Sequence, residues 1–326
     1  MHLTLVIPGL LWPRQALRDT VCDLSLPALE RLLGGIRSRN TLPVGTNGYW
    51  RSRFGAPLPA APLRRLALNK DASGDWLCAD PVHMRLSPQG VSVDDPTDLA
   101  LEWEEARNLH ADLAPLCGEL GELVCDEPGR WHLRPAVALP RLPDELPLGL
   151  SAAELIPSGP GAREWARLFN AWQMVLHTHP VNASRTARGL PPVNSLVLWG
   201  CGTLPLRYEA PWPFLFSNDP ILRGAALHSG ATTTPLPEAL DTLNPVTRCC
   251  VHIDHFISPL RQKNAMAWRD ALQALECDWI RPALQQNIPV LELVASDDEQ
   301  THVLTWHRMD RWQFWRRPQP LTALVP

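Results

Sequence analysis

The densest set of chemistry-bearing side chains lies between residues 177 and 202. There His177, His179, Asn182, Arg185, Arg188, Asn194 and Ser195 stand between a helical stretch and an apolar run that closes on Gly200-Cys201-Gly202. Two imidazoles, two amides and two guanidinium groups in so short a span read as a small-molecule site, with Arg185 and Arg188, three apart, facing one anion and the amides adding neutral donors and acceptors. A structural reading stands beside it: the histidines meet the last carbonyls of a helix and Asn182 closes a turn. Metal chemistry has a thinner basis. Asp80 and His83 are closely spaced, as are His252, Asp254 and His255, but strand alternation lets His252 and Asp254 share a face while His255 points away. Ser52 and Ser195 are nucleophile candidates by position alone. No C-x-x-C, H-E-x-x-H, P-loop or Rossmann glycine pattern occurs.

The run H-x-H-P-V-N-x-x-R-x-x-R-G-x-P-P-V-N-S-L-x-L-W-G-x-G resembles bacterial RpfE-type regulatory proteins, themselves similar to archaeal-type cofactor-independent phosphoglycerate mutases. The resemblance is specific from Trp165 to Gly202 and continues weakly at Leu26–Glu30, Ala79–His83 and Val251–Asp254. It implies an alkaline-phosphatase-like fold. Catalytic relatives hold two divalent ions, one of which activates a Ser or Thr; their first strand ends in Asp-Gly and a late strand ends in Asp with His four residues on. Here the first strand ends Pro8-Gly9, and Asp254 is followed by Ser258 at the fourth place. The resemblance therefore implies a degenerate two-metal site and a regulatory or ligand-binding protein for a small anionic or phosphorylated metabolite, with no cofactor expected. Two alternatives stay open. One is an active phosphomutase or phosphohydrolase with a divalent metal (Mn, Mg or Zn) on Asp80, His83, Asp254 and His255. The other is protein-partner binding through a C-terminal segment in which Trp306, Trp312 and Trp315 alternate with Arg308, Arg311, Arg316 and Arg317.

The elements that must position these residues follow from periodicity. A strand is expected over Leu3–Ile7, then a helix from Leu26 that tolerates Pro27 in its first turn and stops at Gly34-Gly35. Residues 40–69, rich in Gly and Pro, read as loop with at most short helices. Short strands near residues 76–93 precede a helix over about 97–120 with Leu99, Trp103, Ala106, Leu109 or His110, and Leu113 inward, and a hairpin turning at Asp126–Gly129. Residues 135–160 are proline-rich and irregular. A helix from Gly161, ended by Pro180, carries Trp165, Leu168, Phe169, Trp172, Val175 and Leu176 as a stripe. Buried strands are expected at Ser195–Trp199 and Arg248–Ile253, helices at Asp219–His228 and Met266–Leu284, and an edge hairpin from Pro289–Val294 and Thr301–Trp306. The class is α/β: one domain over 1–326 with a central, mostly parallel sheet flanked by helices, and a smaller inserted hairpin/helix subdomain near 70–160.

Composition excludes several classes. At 326 residues with 45% hydrophobic and 20% charged side chains, the chain buries a core and is not a disordered regulator. Thirty basic against 34 acidic residues leave no field for a nucleic acid, and of the basic residues only Lys70 and Lys263 are lysine. No apolar run approaches the ~20 residues of a membrane span. The first residues lack a basic region and are broken by Pro8 and Pro13, so no secretory signal is expected. The eight cysteines show no framework spacing and read as free thiols in a cytoplasmic protein.

Overall fold

The computed structural model describes all residues except 1, 13, 88–89, 147–156, 244–246, 287, 298, 313–314 and 325–326. Its strands are β1 (His2–Pro8), β2 (Ser38–Leu42), β3 (Trp76–Val82), β4 (Met84–Ser87), β5 (Gly90–Val93), β6 (Gly121–Glu127), β7 (Arg130–Pro135), β8 (Ser195–Gly202), β9 (Phe214–Phe216), β10 (Thr232–Thr234), β11 (Arg248–His252), β12 (Val290–Ser296) and β13 (Thr301–His307). The helices are α1 (Arg14–Val21), α2 (Pro27–Gly35), α3 (Thr46–Phe54), α4 (Ala60–Ala67), α5 (Trp103–Leu113), α6 (Ala162–Thr178), α7 (Pro180–Ala187), α8 (Pro220–His228), α9 (Ile257–Arg261), α10 (Ala265–Ala274) and α11 (Arg281–Gln285). The chain divides into two compact units, residues 1–57 with 207–326, and residues 58–206. Among the described residues no helix is long and apolar enough to cross a membrane.

The first unit is built on a seven-stranded sheet of order β10-β9-β11-β1-β12-β13-β2. Strands β10 to β12 run parallel, while β13 is antiparallel to both β12 and β2. β1 is buried from Leu3 to Pro8, as the apolar run Leu-Thr-Leu-Val-Ile requires of a central parallel strand. On one face Leu3, Leu5 and Ile7 pack with Leu29, Leu32, Trp268, Leu272 and Trp279. The β12–β13 hairpin, expected at an edge, lies inside the sheet because β2 pairs beyond it. β2 reads Ser-Arg-Asn-Thr-Leu and its first four residues are exposed, so an edge strand of polar residues carries no apolar signature. Residues 40–69, expected as loop with at most short helices, hold two short ones, α3 and α4. α3 starts on Gly45 without a side-chain cap and is held by burying Tyr49, Trp50 and Phe54, so tertiary packing outweighs weak local propensity. The C-terminal segment belongs to this unit: Arg316 donates to the Gly35 and Ile36 carbonyls at the end of α2, and Leu321 and Leu324 enter the core. Trp306 is buried there, while Trp315 is exposed.

The second unit carries an antiparallel sheet of order β6-β7-β3-β8 and the β4–β5 hairpin. Ser195–Trp199, expected as a buried strand, is part of β8 and pairs antiparallel with β3. On one face Leu77, Ala79, Trp131, Leu133, Leu196 and Leu198 pack against Leu109 and Leu113 of α5 and Trp165, Trp172 and Leu176 of α6. The helix expected over 97–120 is shorter, since Ala100 adopts φ 45° before α5 and Gly118 φ 52° after it. Trp103, expected inward, is 48% exposed at its start. Much of the proline-rich stretch 135–160 lies outside the described residues.

The alternate side chains of the same strands, Cys78, Asp80, His132 and Trp199, line the other face, where α4 presents two buried arginines. Arg64 forks onto both oxygens of Asp80 at 2.7 and 2.9 Å. Arg65 lies 3.6 Å from the Trp76 ring centre and bonds Asp126, which also accepts from His132 Nδ1 at 2.7 Å. Burial pushes the His132 imidazole below its ordinary value, against Asp126. Burial raises the Asp126 carboxyl, but His132 and Arg65 outweigh this and hold it low. Below pH 6.5 the unfolded chain takes up a His132 proton that the folded chain refuses, so stability falls as pH drops from there, and falls again as Asp126 protonates. Urea midpoints between pH 8 and 5 will show this decline in the native protein and a flatter profile in His132→Gln. Equal slopes would contradict it.

Candidate functional site

The residues from 177 to 195 come together in the second unit, but as a clasp. Residues 180–187 form α7 rather than loop, and His179 caps it: Nδ1 accepts the Val181 N–H at 3.1 Å, which leaves Nε2 to donate to Asp112 at 3.1 Å. Asn182 donates to the Leu176 and Val193 carbonyls at 2.7 and 2.6 Å and accepts the Val193 N–H at 2.8 Å. Asn194 makes a two-way pair with the Met84 backbone, and His83 Nδ1 donates to the Pro192 carbonyl. Ser195 is buried, with long contacts to Gln173 and the Leu196 carbonyl among the described residues. His177 is exposed.

Arg185 and Arg188, expected to face one anion, share a carboxylate of the protein itself. Arg185 is fully buried and donates to the Pro191 carbonyl, the Leu99 carbonyl and Glu105. Arg188 pairs with the same Glu105 and with Glu102. Glu105 already supplies the negative charge, so an incoming anion would first have to displace it.

The candidate metal ligands divide between the two units. Both Asp80 oxygens are taken by Arg64, the Trp131 N–H and the Trp199 indole. Asp80 and His83 belong to one unit, Asp254 and His255 to the other. Among the described residues no three His, Cys, Asp or Glu side chains form a group able to hold a metal. At the end of β1, Pro8 stands in register with Ser296 and its side chain offers no ligand atom. Among the described residues, neither the Pro8 side chain nor the Asp80 carboxylate, already committed to Arg64, suits a metal ion. Ser52, a nucleophile candidate, bonds the Tyr49 carbonyl of its own helix.

The carboxyl edge of the parallel sheet gathers a different set. The connection after β9 runs through α8 to β10 on one side, and that after β11 runs through α9 to α11 to β12 on the other, so the strand order reverses between adjacent β9 and β11. Ligands of open α/β sheets sit outside the carboxyl ends of strands at such a reversal. Ser217, just after β9, and His252, the last residue of β11, are both buried and bonded at 3.0 Å. Ser217 Oγ also accepts the Asp219 N–H, which directs its own proton to His252 Nδ1. Burial pushes the His252 imidazole down, opposed by Asp219 and Asp254. The Trp50 ring meets His252 edge-on at 5.5 Å. Along the same edge Thr46, the first residue of α3, and Ser296 share a hydroxyl pair at 2.7 Å. Sequence reasoning missed Ser217 and Thr46 and weighed His252 only as a metal ligand beside Asp254; the readable signal was Asp219-Pro220, an N-cap followed by a first-turn proline that marks a strand-to-helix turn.

The described geometry has a counterpart among solved structures. A search of family models finds none that matches the chain. The PH0037 protein from Pyrococcus horikoshii superposes with a TM-score of 0.53 at 15% identity, over 99% of this chain and 91% of its own. The two share a fold. At such identity the likeness speaks of fold alone. A cofactor-independent phosphoglycerate mutase from Thermoplasma acidophilum gives a TM-score of 0.44 at 15% identity, over 98% of this chain and 93% of its own. In sequence, 57 residues are 42% identical to a protein of Geobacter sulfurreducens described as a probable 2,3-bisphosphoglycerate-independent phosphoglycerate mutase. That match spans 18% of this chain and 14% of the relative.

Proposed function

We propose that the protein is a ligand-binding regulator on a phosphoglycerate-mutase-like scaffold, taking a small anionic or phosphorylated metabolite at the carboxyl edge of the first unit's sheet without two-metal phosphoryl transfer. The observation that carries this reading is Pro8. It ends the central strand opposite Ser296, on the edge where metal-assisted transfer needs a carboxylate, and its side chain has no donor atom to give. The 57-residue match to a protein named as a phosphoglycerate mutase supports the scaffold and the class of ligand. Eight free cysteines fit a reducing cytoplasm.

With Mn²⁺ or Mg²⁺ supplied, phosphoglycerate mutase and phosphatase assays are expected to give no turnover above that of Thr46→Ala, while inorganic phosphate raises the midpoint of thermal unfolding. Turnover lost in Asp254→Ala would replace this reading with the phosphomutase one.

A further inference from the structure

The two faces of the second unit's sheet are held by different forces. The apolar core lies on one face and contains no residue of α4. α4 packs on the other, and its apolar anchors are small: Ala60, Ala61, Pro62 and Leu63 are buried beside Arg64 and Arg65. The helix starts on Pro59 without a side-chain cap. Its attachment therefore leans on the two guanidinium groups. Arg64 grips Asp80 with both terminal nitrogens, and Arg65, stacked on the Trp76 ring, donates to the Asp71 carbonyl and to Asp126.

Asp126 is shared. It also accepts from His132 Nδ1 at 2.7 Å, which puts the proton of the neutral ring on Nδ1 and leaves Nε2 bare. Nε2 is buried and has no partner among the described residues. The charges acting on the ring are Arg64 from α4, Asp80 from β3 and Asp126 from β6. Around them Lys70 acts on Asp126, Asp71 and Arg134 on Arg65, and Cys78 and Glu127 on Arg64. At the centre of this face two arginines balance two aspartates as long as the ring is neutral. A proton added there leaves one buried positive charge uncompensated, and on Nε2 it would meet no acceptor. Burial accordingly holds the imidazole below its ordinary 6.5 while α4 is docked. Once α4 lifts, the ring reaches water and its ordinary affinity for a proton returns.

We propose that α4 is an acid-released latch: a proton taken up by the uncovered His132 holds the helix off its sheet face while the core on the opposite face stays folded. The latch belongs to the second unit and goes beyond the anion-binding reading. Linkage sets its size: each pH unit below 6.5 favours the open form about tenfold, or about thirtyfold by pH 5. Global unfolding uncovers His132 as well, so pH dependence alone does not mark the latch. Urea dependence does, because a lifted helix exposes little surface. Native-state amide exchange of the full chain tests this, read as protection factors at pH 7.5 and 5 and in urea below the unfolding midpoint. From Leu63 to Ala67, protection should fall about thirtyfold between the two pH values, stay at least about tenfold below that of Trp172 and Leu176 in α6, and change little with urea. His132→Gln, whose amide can donate to Asp126 but takes up no proton, should remove the pH dependence at α4. Cys78, buried on the same face, gives a readout that needs no variant. Its reaction with dithiodipyridine, which proceeds in acid, should accelerate in step with α4 exchange. Equal protection and equal urea dependence in α4 and α6, an undiminished pH effect in His132→Gln, or a Cys78 rate that does not rise by pH 5 overturns the latch.

Discussion

Asp80→Ala should lower the stability of the 58–206 unit by about 3–5 kcal/mol, read as a fall in the urea midpoint of its unfolding. The magnitude follows from what the carboxylate holds. It neutralises Arg64, which is 3% exposed, and accepts the Trp131 N–H at 3.2 Å and the Trp199 indole at 2.9 Å. Without it an arginine charge stays buried among Cys78, Trp199 and His132, and two donors lose their acceptor. The pair itself need not be strongly stabilising, because desolvation offsets most of the attraction between its members. A double variant separates the two effects. Arg64→Met with Asp80→Leu removes both charges and should recover at least half of the loss. If the double variant is as unstable as Asp80→Ala, the cost lies in packing and not in the uncompensated charge.

The same carboxylate shows where sequence reading runs out. Asp80, in Ala-Asp-Pro-Val-His, has the residue type and spacing of a metal ligand, and nothing local marks Arg64, sixteen residues earlier, as its partner. Arg185 and Glu105 repeat the lesson over eighty residues. Long, periodic elements were legible: α6 with its Trp stripe, β1 as a buried run, and α8 with its Asp-Pro start. They sufficed for an α/β class with a mostly parallel sheet. Elements defined by their neighbours were not legible. β2 is polar because it lies at an edge, α3 has neither cap nor stripe, and α7 hides between two proline-containing turns. The candidate site suffered most, because Thr46, Ser217, His252 and Ser296 come from four segments that only the sheet topology brings to one edge.

Glu276→Ala should cost about 3 kcal/mol in the urea stability of the unit that contains the seven-stranded sheet, a large effect for a residue that belongs to neither candidate site. α2 begins on Leu26, whose side chain cannot cap, with Pro27 in its first turn. Its exposed amides are served from the far end of the chain: Glu276 Oε1 accepts the Ala28 N–H and Oε2 the Leu29 N–H, each at 2.8 Å. A buried carboxylate on a helix N-terminus gains both from these charge-assisted bonds and from the helix dipole. Glu276 sits in a π-helical turn, Leu275–Ile280, that buries Leu275, Glu276, Trp279 and Ile280 together. The wider turn lets a polar residue enter a core face beside apolar ones. Alanine leaves two N–H groups unpartnered beside Leu29 and Leu32, while glutamine keeps one acceptor and sets an amide donor against the other N–H. The loss in Glu276→Gln should therefore be roughly half that in alanine. Amide exchange at Ala28 and Leu29 gives the local check. Protection there should fall in Glu276→Ala by more than at Leu3 or Leu5, and unchanged protection would mean that α2 is held by its apolar face alone.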